Sequence, residues 1–216
     1  VMLRREVIAA SVAAGSVGSS PRTQGSLRSR LLRLSETLVE GPHRHPRTPA
    51  IPAAEAQAPY SDREVSLLRS WAANQNTAYR TVNATMILAL GLGAGLVVRE
   101  MAGVTAADVT IDDDGVLIAV TAGARPRTVP VLAAWEDAIA SVASASMRPD
   151  LWLLLPRRRL AYHRNLLPNF TLDTINRPMS INAGRLRATW LVRHLSVGTP
   201  VNVLADAAGM ASPSAL

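Results

Sequence analysis

Two places in this chain carry side chains whose chemistry goes beyond packing. The first is Pro156-Arg157-Arg158-Arg159-Leu160-Ala161-Tyr162-His163-Arg164. Four guanidinium groups around one aromatic ring can neutralise several phosphates while the ring stacks or packs. The bland alternative is a solvated basic loop. The second is Arg187, inside the helical pattern RLRATWLVRHLS. At about 100° per residue from Arg185, Leu186, Trp190, His194, Leu191 and Leu195 form an apolar arc, and Arg187 falls inside it at about 200°. Arg185 and Arg193 fall on or near the polar edge. An inward guanidinium is costly unless it finds a carboxylate such as Asp206, buried carbonyls, or a phosphate.

Other chemistries find less support. Gly91-Leu92-Gly93-Ala94-Gly95 lacks the third glycine of a dinucleotide-binding fingerprint, where Leu96 stands, and follows an apolar helix rather than a strand. Asp112-Asp113-Asp114-Gly115 reads as a turn, with no second carboxylate cluster to complete a divalent-metal site. His43 and His45 sit in the segment HRHPR, and Glu136 and Asp137 on an exposed helix face. The spacing of four scattered histidines specifies no Ser/His/Asp grouping. The absence of Cys removes thiolate nucleophiles, disulfides and Cys-ligated zinc. No metal and no small-molecule cofactor is expected.

All 23 basic residues are Arg and none is Lys, and with 16 acids the net charge is +7. A GC-rich genome accounts for the missing Lys but not for where the Arg residues lie. Residues 1–57 and 151–216 are basic and residues 58–150 mildly acidic, and such asymmetry points to an anionic partner such as nucleic acid. A membrane span is excluded by the apolar run Met86–Val98, which ends at Arg99 and Glu100 well short of the roughly 20 residues required. Arg4 and Arg5 before Val7–Ala14 only faintly suggest a signal peptide, and Glu6 argues against one. A cytoplasmic location is expected.

These residues must be positioned by elements that the pattern makes legible. Helices are predicted over 2–14 and about 24–40, the second through Leu27, Leu31, Leu34 and Leu38, with Arg28, Arg30 and Arg33 largely on other faces. Residues 41–59 are Pro-rich and aperiodic, a linker between a short helical N-terminal piece (1–40) and a larger domain (60–216). That domain opens with Ser61 and Glu64 as a capping box, and Leu67, Leu68 and Trp71 form the buried stripe. A central apolar helix follows over 80–94. Strands are predicted at Val109–Ile111, Val116–Thr121 and Arg127–Val131, and helices at about 132–147, 185–196 and 200–208. The fold class is mainly α with a small three-stranded antiparallel sheet. Thr199 is expected to cap the last helix, Pro200 to open it and Gly209 to end it. Helix, glycine turn and helix also describe a helix-turn-helix reader, a rival DNA-binding reading.

The order of these features resembles the catalytic domain of the tyrosine recombinases, the phage-integrase family. Four stretches carry the resemblance. Gly95-Leu96-Val97-Val98-Arg99-Glu100-Met101, with Val104 and Asp108-Val109 after it, is similar to the signature G-L-R-x-x-E-L with a later D-I/V. Gly115 to Pro130 is similar to the hairpin ending in R-x-V-P. Leu186-Arg187-Ala188-Thr189-Trp190, with Gly198 downstream, is similar to L-R-H-T-F. Ala208-Gly209-Met210-Ala211-Ser212-Pro213 is similar to L-G-H-S-S/P. The resemblance covers roughly residues 60–216.

The resemblance implies a phosphate gripped by Arg, Lys and His while a Tyr attacks. Carried over residue by residue, only Arg187 matches. The first Arg falls on Val97, the Lys at or near Ala122, the His of H-x-x-R on Gly184 and the later His on Met210. Arg99 lies about 200° around a helix from Val97 and should point away. The nucleophilic Tyr would lie just beyond Leu216, so the domain is expected to be truncated at its C-terminus. The resulting expectation is a pseudoenzyme: a recombinase-like protein that binds double-stranded DNA without cutting it, with possible self-association on the DNA. Arg187, Arg157, Arg158, Arg159, Arg125 and Arg127 would line one side of the duplex, and Arg28, Arg30 and Arg33 the other. The alternatives are an active site-specific recombinase whose Tyr lies outside this sequence, a helix-turn-helix regulator, and a decayed remnant of a mobile element.

Overall fold

The structure, a computed structural model, describes residues 5–15, 21–38, 58–123, 125–158, 162 and 164–211. It divides into two compact units, Val1–Ala56 and Gln57–Leu216. In the first, α1 (Arg5–Gly15) and α2 (Pro21–Leu38) pack on each other. Ile8 and Val12, one helical turn apart on α1, are buried. On α2, Leu27 is exposed and Leu31 half-buried.

The second unit is a helical body with one small sheet. Helix α3 (Asp62–Ala73) opens with the expected capping box, in which the Ser61 hydroxyl accepts from the Glu64 N–H and the Glu64 carboxylate accepts from the Ser61 N–H. Its buried stripe is Val65, Leu68 and Trp71, whereas Leu67 is exposed. Helix α4 (Ala78–Leu88) runs on into a π-helical turn, Ala89–Gly93, and every residue from Met86 to Leu96 is buried.

The glycines of that turn explain its sequence. A β-carbon at Gly91 would lie 2.8 Å from the Leu186 side chain, one at Gly93 2.7 Å from Trp135, and one at Gly95 would run into the Trp190 ring. The three glycines are notches that admit side chains from two other helices. Close packing, rather than a nucleotide, is what requires them.

Two short helices escaped the sequence pattern, α5 (Val98–Gly103) and α7 (Leu166–Leu172), as did a 3-10 turn at Ala106–Asp108. Strands β1 (Val109–Asp112), β2 (Gly115–Val120) and β3 (Arg127–Pro130) form an antiparallel sheet in that order. Asp112 pairs with Gly115, so Asp113 and Asp114 form a two-residue turn, with the Asp112 carboxylate accepting from the Asp114 N–H. Val116, Ile118 and Val120 alternate inward along β2, which packs against α6 (Ala133–Ala145) through the buried Trp135 and Ile139.

Helices α8 (Ala183–Ser196) and α9 (Val201–Ala207) close the unit. Asn182 caps α8. The capping expectation for α9 fails in one respect: Pro200 takes the N-cap position, and the Thr199 hydroxyl instead meets His194 Nδ1 at 3.2 Å. Gly209 follows α9 with φ of 66°, as its C-terminal position requires. Among the described residues no helix is long and apolar enough to cross a membrane.

Candidate functional site

Arg187 is held by the elements that bracket it in sequence. Leu186 and Trp190, both fully buried, seat α8 in the notches at Gly91 and Gly95. The residue between them is therefore carried toward the same surface. Arg187 is half-buried, and its Nη1 donates to the Gly95 carbonyl at 2.6 Å while its Nη2 donates to the Ala208 carbonyl. Burial lowers its pKa, with Glu100 raising it and Arg127 lowering it further. Of the partners open to it in the sequence, carbonyls rather than Asp206 receive these bonds, and Asp206 is exposed.

Two further arginines reach the same end of α9. Arg127 on β3 forms a two-pronged ion pair with Glu100, at 2.8 and 3.1 Å, and donates through Nε to the Ala207 carbonyl at 2.7 Å. The two side chains are only 9% and 10% exposed, so this pair is interior. Arg125, exposed, donates to the Met210 carbonyl at 2.8 Å. Three guanidinium groups thus meet the carbonyls of Ala207, Ala208 and Met210, at the end of a helix where carbonyls lack intrahelical partners and the dipole favours cations. Beside them opens a pocket of about 420 Å³ lined by Arg125, Pro126, Arg127, Asp206, Gly209 and Met210.

Glu100 was not singled out by the sequence reading, though it stands at the Glu of the G-L-R-x-x-E-L resemblance. It is 8% exposed, and besides Arg127 it accepts from the Val97 N–H at 3.0 Å. It ties α5 to β3, and β3 in turn is tied to α9.

The remaining positions to which the resemblance points lie as follows. Val97 stands exposed at the start of α5, and Arg99 is also exposed. Ala122 packs against Gly103, whose hydrogen faces it. Gly184 is exposed in the first turn of α8, and Met210 lines the pocket. Among the described residues, no His or Tyr lines that pocket.

The arginine run after Pro156 splits by burial. Arg157 is exposed and lies over the Tyr79 ring, 4.9 Å from its centroid. Arg158 is half-buried, 4.1 Å over Trp152, with Nη1 on the Leu154 carbonyl at 2.6 Å and Nη2 on the Ala102 carbonyl. Burial pushes its pKa down to about 10. Tyr162 and Arg164 are exposed. Arg159, His163, His43, His45 and the Arg33 side chain lie outside the described residues, while Arg28 is half-buried and Arg30 exposed on α2. Among the described residues no group of three His, Cys, Asp or Glu is placed to hold a metal ion.

A second cluster the sequence reading missed joins Tyr60 to α8. The Tyr60 N–H donates to Thr189 Oγ1 at 2.7 Å, and its hydroxyl donates to the Ser180 carbonyl and accepts from the Asn182 N–H. Arg185 stacks 3.9 Å over the Tyr60 ring and pairs with Glu64 at 2.9 Å. Tyr60 is 4% exposed, and burial pushes its phenol pKa up. Only its place just after an aperiodic Pro-rich segment could have hinted at an anchoring role.

No protein-family model matches the sequence, and no curated protein sequence matches it. Solved structures do. The chain is similar to the integrase of the Tn1549 transposon in complex with circular intermediate DNA, at 14% identity and a TM-score of 0.62, covering 98% of this chain and 79% of the integrase. It is similar to the XerH site-specific recombinase bound to its difH substrate, at 13% identity and a TM-score of 0.65, covering 98% of this chain and 65% of XerH. It is also similar to the XerA recombinase, at 16% identity and a TM-score of 0.51, covering 95% of this chain and 73% of XerA. The chain spans just under two thirds of XerH. These likenesses show the fold, which is that of the tyrosine recombinases and integrases and is the one the resemblance in sequence implied.

Proposed function

We propose that this chain, built on the tyrosine recombinase fold, is a divergent recombinase-type protein that binds double-stranded DNA and does not cleave it. The observation that carries the reading is a conjunction. The fold is shared with recombinases solved on their DNA, while of the catalytic positions only Arg187 keeps its residue type. Val97, Ala122, Gly184 and Met210 can neither donate a proton to a leaving oxygen nor offset charge on a phosphorane-like transition state.

Arg187 is suited to binding even though it is bonded to the protein. A guanidinium has five N–H donors, and two of Arg187's are placed on carbonyls. The carbonyls orient the group, and the remaining donors suit a backbone phosphate. Arg125, exposed beside the pocket, would add a second contact, and Arg127 would act behind it by holding β3 to α9. Arg28 and Arg30 would meet the duplex from the N-terminal unit, with Arg33 and Arg159 proposed from the sequence alone. Self-association on DNA is part of the same proposal.

The helix-turn-helix reading is weakened by what α9 exposes. Val201, Asn202, Val203 and Asp206 face solvent, and of these only Asn202 and Asp206 are polar readers, a thin set for base edges in a major groove.

The test is binding to a labelled duplex as a function of salt, with wild type and Arg187→Ala. The expected result is affinity that falls steeply with salt, less steeply in the variant. Affinity that does not respond to salt, or no binding at about 50 mM, would remove the reading. A nicked suicide substrate that trapped a covalent protein–DNA adduct would overturn the absence of cleavage.

A further inference from the structure

The turn at Pro156-Arg157 is held more firmly than a solvated basic loop requires. At its start, the Leu155 N–H donates to Asn83 Oδ1 at 2.5 Å, and Asn83 is 1% exposed in the middle of α4. The Asn83 amide donates in turn to the Tyr79 carbonyl at 2.7 Å, so the turn and the first half of α4 form one hydrogen-bonded body. The turn closes through the Arg158 N–H on the Leu155 carbonyl at 3.1 Å. Leu155 adopts φ of 51°, a left-handed conformation that disfavours a leucine.

Arg158 then anchors the far side. It lies against Trp152, its guanidinium engages the carbonyls of Leu154 and Ala102, and its Nε is buried with no partner. Partly burying a guanidinium, straining a leucine and leaving one N–H unpaired all oppose folding. A loop that merely kept its charges in water would gain nothing from them.

What the arrangement presents is Arg157, the exposed residue at the tip, lying over Tyr79. Arg80 follows Tyr79 on α4, held by Asn76 at 2.8 Å. The two stretches brought together here, residues 74–99 and 151–172, contain no Asp or Glu. Neither stretch supplies a carboxylate to occupy the exposed guanidinium, the nearest acids in sequence being Glu100, Asp150 and Asp173 just outside them.

We propose that Arg157, fixed on this turn and against Tyr79, is a preformed contact for a backbone phosphate of duplex DNA. Tyr79, Asn83 and Arg158 are its positioning residues. The assignment rests on the DNA-binding reading and adds a second contact region to that at Arg187. The contact with the Tyr79 ring restricts the side chain before DNA arrives, which reduces the freedom lost on binding. Arg158, although it belongs to the same run, serves as support rather than as a contact.

Duplex binding against salt, with thermal unfolding measured alongside, separates the parts. Arg157→Ala is expected to unfold like wild type and to lower the salt slope by about 0.9, so that raising salt from about 50 to about 200 mM weakens it about 3.5-fold less. Arg157→Lys keeps the charge but loses the planar stack, and is expected to keep the slope and bind severalfold more weakly. Tyr79→Leu is expected to behave like Arg157→Lys. A wild-type slope in Arg157→Ala, with wild-type protein binding normally, overturns this inference and leaves the DNA-binding reading standing. Wild-type affinity in both Arg157→Lys and Tyr79→Leu overturns the preformed geometry. Failure of the wild-type protein to bind duplex overturns the reading and the inference together.

Discussion

Two arginine-rich regions of this protein differ in what their guanidinium groups face. At the end of α9, Arg127 and Arg187 are withdrawn from solvent and bonded to carbonyls, and Arg127 has a carboxylate partner. At the turn after Leu155, Arg158 is anchored on carbonyls and the preceding Arg157 is left in solvent over an aromatic ring. The first region ties chain segments together through Arg127 and uses carbonyls to orient Arg187. The second uses the same bonds to hold a charge out. Charge alone therefore predicts neither role; the partners of each guanidinium do.

The contrast can be broken most forcefully at Glu100. Glu100→Ala leaves Arg127 buried without its carboxylate, and should destabilise the fold by about 3–5 kcal/mol in denaturant unfolding. A loss below about 1 kcal/mol would mean that the pair is solvated and the first region is not a structural clasp. Gly95→Ala comes next. Its β-carbon would enter the Trp190 ring at a position with φ of 62°, and the expected loss is about 2–4 kcal/mol.

Arg187→Ala removes two charge-assisted bonds to carbonyls, and an intermediate loss of about 2 kcal/mol is expected. At Arg157 the comparison predicts the reverse pattern: a stability change within about 0.5 kcal/mol together with a reduced salt slope in DNA binding. An Arg157→Ala protein that unfolds as readily as Glu100→Ala would erase the distinction between the regions.

The smallest effect concerns pH. His194 lies edge-on to Trp190 with its Nε2 buried and unpaired, and burial lowers its pKa from 6.5. Its folded pKa is thus below its unfolded one, so its contribution to stability is present above about 6.5 and is lost as pH falls through that value toward the folded pKa. Unfolding of wild type and His194→Gln at pH 7.5 and 5.5 should show a smaller decline in the variant. Equal declines would mean that His194 is as well solvated as the exposed groups of the second region.

Much of the frame was legible because its causes are local. The Ser61–Glu64 capping box, the Asp-Gly hairpin turn and the apolar run through Leu96 are set by neighbours in sequence, and each forms where its pattern predicts. Helices α5 and α7, of six and seven residues, were missed because so short a helix displays no period. The cap of α9 was misjudged because Thr199 had a competing partner in His194, one turn back on another helix. The glycine run invited a nucleotide reading and turned out to serve packing, since only the fold says which side chains face those missing β-carbons.

The sequence by itself determined the helix periods, the hairpin, the segregation of charge and the inward direction of Arg187, all consequences of 3.6-residue and two-residue repeats. It also fixed that Val97, Ala122, Gly184 and Met210 stand at the positions to which the resemblance points, because identity at a position needs no coordinates. Only the tertiary structure decided which arginines are bound to the protein. The carbonyl of Gly95 lies 92 residues from Arg187, that of Ala102 56 residues from Arg158, and Glu100 27 residues from Arg127. Contacts over such separations exist only once the chain has folded, and they set how many donors of each guanidinium the protein itself takes up.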